Sequence, residues 1–485
     1  MKISRNKEEN INYIKKMYGE SSDIQTRNID NITYIFLASV SSDDKISNFL
    51  VKGITNSKSI FNVFNNLKNN IYNSNLSIVE NLDDILYRLS SGFTIVFITG
   101  NDKAISIETR ATLDRGVNES TSEAIIRGPK DSFTENHLIN LGLIRKRIKD
   151  ENLWFKDIQI GKRTKTKVTI SYINAITNIN HVKEIEKKLK KINIDGILDS
   201  SYIKELLENS STFSMIMSTE RPDLTSGALL EGKIVILVEN SPYVLILPSF
   251  FTDFMHSAED YSESYSNISL TRVLRLISFI LTIITPAFYI ALTTWNQEII
   301  PNDLLISLSI QKKGVPFPTA LELIIMITTF EILREADIRM PNAVGASVSI
   351  VGALILGEAA VSAGIVSPII IIVVAFTSIS GLVFTDIDFI NSIRYWRFIF
   401  IFFSIFLGFI GLIICGLIFL TKLCSMQYLK IPYTIPISPL IKEQLKDSII
   451  RFNRSKINKR APYLTNNIIK GDNNEKNTNN FNSSL

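Results

Sequence analysis

Acidic and basic side chains set among apolar neighbours are the residues of this 485-residue chain with the most chemistry to explain. Within ALELIIMITTFEILREADIRMP, residues 320–341, Glu322, Glu331 and Glu335 stand with Arg334 and Arg339. Farther on, Glu358 interrupts VGALILGEAAVSAG, residues 351–364. A charged group is expensive inside a bilayer, so such residues pair, face water, or mark an ion path. For the first group two readings stand side by side: a gating network, or a structural Arg and Glu network at the end of a span. Glu358 lies deeper in its apolar run and suits an aqueous path or a helix partner.

A second pattern overlaps the first. Ala346, Ser349, Ala353, Gly357, Ala360 and Gly364 recur at helical spacing, which places them on one face. Small residues let helix backbones approach closely in lipid. That face is either a packing surface within one chain or the contact by which several copies surround a pore. In the pore reading, Val361 at its edge is a candidate apolar constriction that gates by dewetting.

Enzyme signatures are weak. His137, His181 and His256 are scattered, with no HExxH or paired spacing, so no metal site is expected. GKRT at 161–164 resembles the end of a P-loop, but Lys156 stands where its first Gly belongs and Arg163 where Ser or Thr belongs. No GxSxG nucleophile elbow occurs. Cys415 and Cys424 cannot build a disulfide framework or a CxxC site. No cofactor is implied, and the chain is expected not to be an enzyme. A net charge of +5, with no clustered basic face or aromatic recognition module, argues against nucleic acid as a partner.

Two different solvents must surround the elements that carry these residues. Charge is dense before Leu270 and after Lys422, whereas the stretch between holds apolar runs of about 20 residues, long enough to cross a bilayer. The fold expected is therefore two small cytosolic α/β subdomains followed by a helical transmembrane domain of four to five hydrophobic segments. Residues 1–30 read as a variable segment, 31–126 as the first subdomain, 127–265 as the second, 266–425 as the transmembrane domain, and 426–485 as a basic, largely disordered tail. Strand-like runs fall at 32–40, 93–99, 104–110, 154–160, 167–173, 233–238 and 243–247. LDDILYRL, HVKEIEKKLKKI and SSYIKELLE have helical spacing, and Ser132 with Glu135 fits a capping box for the helix over 132–151. In TERPD, Thr219 suits a cap and Pro222 a first helical position. No repeat of fixed period is visible.

The start, MKISRNKEENINYIKKMYGE, has no apolar core of a signal peptide, so export of the first half is not expected. Arg272 and Arg275 before the first span, and a run of Lys and Arg from Lys422 onward, put both termini in the cytosol. That requires an even number of crossings: four full spans at 273–295, 344–361, 365–384 and 398–420, with a partial insertion at 320–333. Arg394 and Arg397 conflict with this count, which places them outside.

In chain order, EAIIRGPKDSFTENHLINLGLIRKRI, IGKRTKTKVTISYI, DGILDSSYIKELLE, STERPDLTSGALLEGKIVILVENSPYVLILP and SAEDYSE resemble the cytosolic half of GerA-type A subunits of spore-germination receptors. PFPTALE, TFEILREADIRMPNAVGASVSIVGALILGEAAVSAGIVSP and LCSMQYLKIPY continue the resemblance through the membrane half, so that it covers about residues 30–439. The resemblance implies a non-enzymatic subunit in the inner membrane of a dormant spore, working with a transporter-like B subunit that binds the nutrient and a lipoprotein C subunit. It further implies a homo-oligomeric ring whose helices release ions. Carried onto this chain, it points to Glu358, Val361 and the small face for the pore, and to Glu322, Glu331, Arg334 and Glu335 for gating or support. Two other classes compete. A secondary transporter would also hold intramembrane acids, but no inverted repeat is visible and the span count is low. A non-conducting membrane scaffold would account for the large soluble half.

Overall fold

The computed structural model describes residues 1–29, 31–52, 75–112, 123, 125–208, 212–339, 355–465 and 467–470. Its first half holds two five-stranded sheets in which every strand pair is antiparallel. The first sheet contains β1 (Ile24–Ile29), β2 (Ile32–Leu37), β3 (Leu76–Val79), β4 (Phe93–Ile98) and β5 (Ala104–Glu108), ordered β1-β2-β4-β5-β3. The second contains β6 (Leu153–Ile160), β7 (Thr166–Ile173), β8 (Met217–Thr219), β9 (Ile234–Val238) and β10 (Val244–Leu247), ordered β6-β7-β9-β10-β8.

These orders are the same pattern twice, so the first half is a topological duplication that the sequence does not display as a period. Helix α1 (Lys7–Met17) precedes the first sheet as α3 (His137–Arg147) precedes the second. Helix α2 (Leu82–Ser90) joins β3 to β4 as α6 (Pro222–Leu230) joins β8 to β9. Between β7 and β8 lie α4 (Ile179–Lys191) and α5 (Ser200–Leu207). All six residues of β2, all five of β9 and all four of β10 are buried, which is why these strands read as continuous apolar runs rather than alternating ones.

Residues 1–29 are part of the first unit, not a separate segment. Ile11, Ile14 and Tyr18 pack against Leu82, Ile85, Leu86 and Leu89 of α2, and β1 pairs with β2 along its whole length. The helix expected over 132–151 begins later than its capping box suggests. Asn136, whose side chain accepts from the amides of Leu138 and Ile139, caps it instead of Ser132. Pro222 does sit at the start of α6, behind Arg221 at the cap position, while Thr219 Oγ1 accepts from the Arg221 amide at 3.1 Å.

The two units are joined by a buried ion pair. Arg145 of α3 donates through Nε to Asp23 Oδ2 at 2.8 Å and through Nη2 to Oδ1 at 3.0 Å, with both side chains fully buried. Beside it Trp154 Nε1 donates to the Met17 carbonyl at 3.2 Å.

In the second half, α7 (Tyr265–Trp295) leads from the second sheet, α8 (Asn302–Lys312) and α9 (Thr319–Arg339) follow, residues 355–362 form the described part of α10, and α11 (Pro368–Gly381) and α12 (Ile387–Ser425) complete the bundle. Among the described residues, α7 and α12 are long and apolar enough to cross a membrane. Helix α12 is not straight. Gly408 has φ 57° and ψ −135°, and the rings of Trp396 and Phe419 lie 4.8 Å apart, whereas a straight helix would hold them about 34 Å apart. The segment expected as one span over 398–420 is therefore the turn region of a helical hairpin. Its tip rests on the far end of α7: Trp295 Nε1 donates to the Ile405 carbonyl at 3.0 Å, and Ser404 Oγ donates to that of Ala287 at 2.5 Å.

Two other expected segments change length. The partial insertion at 320–333 is a full helix of 21 residues. The span at 365–384 is helical only over the 14 residues of α11, because Gly364 takes φ 66° and Ser367 an extended backbone ahead of Pro368.

The tail expected to be largely disordered is ordered over much of its length. Tyr433 and Ile435 are buried, Phe251 donates its amide to the Tyr433 carbonyl at 3.0 Å, and Thr465 bridges Thr177. Phe250, Ile431, Ile435, Ala461 and Leu464 form a cluster of their own against the second unit. These scattered apolar residues supply the burial that the polar composition obscured.

Candidate functional site

The membrane-side acids expected to form one network occupy three places. Glu322, fully buried near the start of α9, accepts from the Ser367 amide at 2.8 Å, so it caps the N-terminus of α11 where the helix dipole favours a carboxylate. Glu331, more than two turns along α9, pairs with both Arg394 and Arg397 of α12. Glu335 pairs with Arg339 at 2.6 Å on an exposed surface, and Arg334 is half-buried on the same helix. The i+3 and i+4 spacing of Arg334 and Glu335 from Glu331 along α9 hid the fact that Glu331 finds its partners on α12, as Glu322 finds its own ahead of α11. The bidentate use of Glu331 gives Arg394 and Arg397 a reason to be where sequence topology found them out of place.

Ala346, Ser349 and Ala353 lie outside the described residues. Of the rest of the small face, Gly357 is buried, and a Cβ there would meet Ile371 of α11 at 3.8 Å, so this part of the face packs against its own chain. Ala360 and Val361 are half-buried on the same core. Gly364 does not continue the face, because its left-handed backbone ends the helix. The open side of α10 is another one: Ile355, Glu358, Ala359 and Ser362 are all exposed. Their spacing puts a carboxylate and a hydroxyl in line on that side.

Where the bundle meets the second sheet, polar and aromatic contacts interlock. Lys204 of α5 pairs with Asp388 in the first turn of α12 and donates to Ser218 Oγ at 3.2 Å. Ser392 Oγ donates to the Thr212 carbonyl at 2.5 Å. Phe389 stacks on Phe254 at 5.3 Å and lies 5.7 Å from Phe213. Arg272 and Arg275, read from sequence as topology signals, are buried partners of Asp260, at 2.9 Å and 2.8 Å. Arg272 also reaches Asp447 at 3.0 Å, and Arg451 reaches the Asp260 carbonyl, so the returning tail closes this junction. Nothing in the spacing of Lys204, Asp260, Asp388 and Asp447 announces it.

A polar cavity of about 400 Å³ opens between the two sheet units, lined by Asp23, His137, Asp157, Lys167 and Glu239 among others. His137 Nε2 lies 2.7 Å from Thr169 Oγ1, which donates to Asp157 Oδ1 at 2.5 Å; Lys167 Nζ is 3.4 Å from Asp157 Oδ2. Burial pushes the His137 imidazole below its ordinary pKa, so the neutral ring is favoured there. Among the described residues no group of three or more His, Cys, Asp or Glu is placed to hold a metal ion.

Residues 12–463 match the family described as Bacillus/Clostridium GerA spore germination protein. Spore germination protein KA of Bacillus subtilis is 36% identical over 461 residues, which cover 93% of this chain and 85% of that one. Spore germination protein GerLA of Bacillus cereus is 36% identical over 79% of this chain and 78% of its own length. Spore germination protein A1 of Bacillus subtilis is 33% identical over 86% and 87%. Among solved structures, the N-terminal domain of the A subunit of the Bacillus megaterium spore germinant receptor GerK3 aligns with 31% identity and a TM-score of 0.39, covering 52% of this chain and 98% of that domain. A family match across nearly the whole chain, carried through both sheet units and the helical bundle, makes this protein a member of the GerA family of spore germination proteins.

Proposed function

We propose that the chain is the A subunit of a nutrient germinant receptor in the spore inner membrane, and that several copies surround an ion path opened when the nutrient is sensed. The observation that carries this reading is Glu358, exposed on α10 between exposed Ile355 and Ala359. A carboxylate facing lipid there would be costly, so the face it occupies is better satisfied by water shared with neighbouring copies. Ser362 extends the same polar line, Val361 stands at its edge as the apolar constriction, and Gly357 and Ala360 pack the helix against its own chain.

In this reading both termini are cytosolic: α7 runs outward, α9 and α11 run inward, and the two legs of α12 run outward and back. The Glu331 pairs with Arg394 and Arg397 brace α9 against α12, and Glu322 fixes α11. The role is non-enzymatic. A transporter-like B subunit and a lipoprotein C subunit complete the receptor, and the contacts of Lys204 and Arg272 carry movement of the sheet units to the helices.

The test is ion flux from liposomes holding the assembled receptor, with germination of spores carrying the same variants. Val361→Lys is expected to give a leak without nutrient, and Glu358→Leu to reduce nutrient-triggered cation flux. Unchanged flux in both variants at normal receptor abundance, or a receptor holding a single copy of this chain, refutes the pore.

A further inference from the structure

The C-terminal segment returns to the bundle at a defined depth. The Arg451 amide donates to Ser269 Oγ at 3.1 Å, and its guanidinium reaches the carbonyls of Asp260 and Glu263, which pins it beside the first turns of α7. Immediately below, Leu270, Leu274, Ile277 and Ile280 form an exposed apolar stripe suited to acyl chains. At the level of the pin, Ile450 and Phe452 are 50% and 41% exposed, beside exposed Tyr261 and Tyr265. Large apolar and aromatic side chains in this position favour the headgroup layer, which is about 5–8 Å deep on each side of the hydrocarbon.

Charge on the same segment is one-sided. Its acids are already taken, Asp447 by Arg272 at 3.0 Å and Glu443 by Lys446 at 3.3 Å. Lys442, Arg454 and Lys456 are exposed, with no carboxylate in salt-bridge range among the described residues. Cations held at a bilayer surface attract anionic lipid within about one Debye length, ~8 Å at physiological salt.

We propose that residues 450–456, with Lys442, form an amphipathic seat on anionic lipid headgroups of the cytosolic leaflet. Ile450 and Phe452 enter the headgroup layer at the depth of Ser269, and Arg454, Lys456 and Lys442 meet the phosphate oxygens. The seat rests on α7 crossing the bilayer with its Tyr265 end cytosolic, but not on any pore.

The experiment uses the full chain with Cys424→Ser, since Cys415 is buried, reconstituted in nanodiscs of phosphatidylglycerol or of phosphatidylcholine. A bimane probe on Phe452→Cys is expected to emit at shorter wavelength in phosphatidylglycerol. The shift should vanish in R454E/K456E and shrink at high salt. Equal emission in the two lipids, as expected if an acidic protein covers the segment, overturns the proposal, and so does a shift that survives R454E/K456E. The same probe on Ile280→Cys should report an apolar environment in both lipids; a water-like signal there sinks the spanning assignment of α7 instead. Without any label, native mass spectra should show R454E/K456E retaining fewer phosphatidylglycerol molecules than the parent chain, and equal retention counts against the seat.

Discussion

Replacing Asp23 with Ala should loosen the join between the two sheet units far more than a surface substitution would. The carboxylate accepts two charged hydrogen bonds from Arg145 and two more from Ser21 Oγ and Ser39 Oγ, at 2.7 and 2.5 Å. Without it the Arg145 guanidinium stays fully buried, held 4.7 Å over the Phe155 ring and 5.4 Å over that of Tyr18, with no counter-charge. Stranding one member of a buried pair costs about 3–5 kcal/mol, whereas replacing both members by apolar residues is often close to neutral. Trp154 lies at the same join and reports it once Trp295 and Trp396 are changed to Phe. Urea unfolding followed by Trp154 fluorescence should therefore lose about 3–5 kcal/mol in Asp23→Ala and recover most of it in Asp23→Leu/Arg145→Met. A loss below about 1 kcal/mol in the single variant, or no recovery in the double one, would refute the assignment of this pair as the latch.

Gly408→Ala places a Cβ in a left-handed backbone and 2.8 Å from Trp295; a cost of about 1–3 kcal/mol in thermal stability is expected, whereas Gly416→Ala, with open space around it, should be neutral. Glu331→Gln leaves Arg397 without its carboxylate inside the bundle and should lower the monodisperse yield in detergent; adding Arg397→Met should restore part of it. Acid should weaken the second sheet unit through His137. Its folded pKa lies below the 6.5 of a free imidazole, so its contribution is present above about pH 6.5 and is lost as pH falls toward the folded value. Melting curves of the parent chain and of His137→Gln, taken from about pH 8 to about pH 5, should diverge at the alkaline end and converge at the acid end; parallel profiles would exclude the effect.

Strands such as β2, β4, β7 and β9 were legible because two-sided burial writes them as dense β-branched runs. β1 and β8 were not. IQTRNI is an exposed edge and MST is three residues long, so neither carries a periodic signal. The duplication escaped because it lies in strand order, with unrelated side chains filling equivalent positions. In the bundle, hydropathy located apolar stretches but not the reversal at Gly408, since one glycine in FLGFIG looks like any other until its backbone angles are seen. The acids of α9 stand out in the sequence because charge is costly among apolar neighbours. The partners of Glu322 and Glu331 do not, because Ser367, Arg394 and Arg397 meet them only after the helices pack.

The return of Tyr433 and Leu464 to the second sheet unit also fixes an order of assembly. A ribosome adding about 5–20 residues per second needs roughly 10–40 s to travel from the last strand of that unit to Tyr433. During that interval the helices of the bundle leave the exit tunnel. The globular body is thus still missing a wall when the bundle helices emerge, and its biogenesis finishes only after them. A chain stopped at Ser425 would have complete hydrophobic helices attached to a permanently unsealed nascent domain, a natural substrate for quality-control proteases.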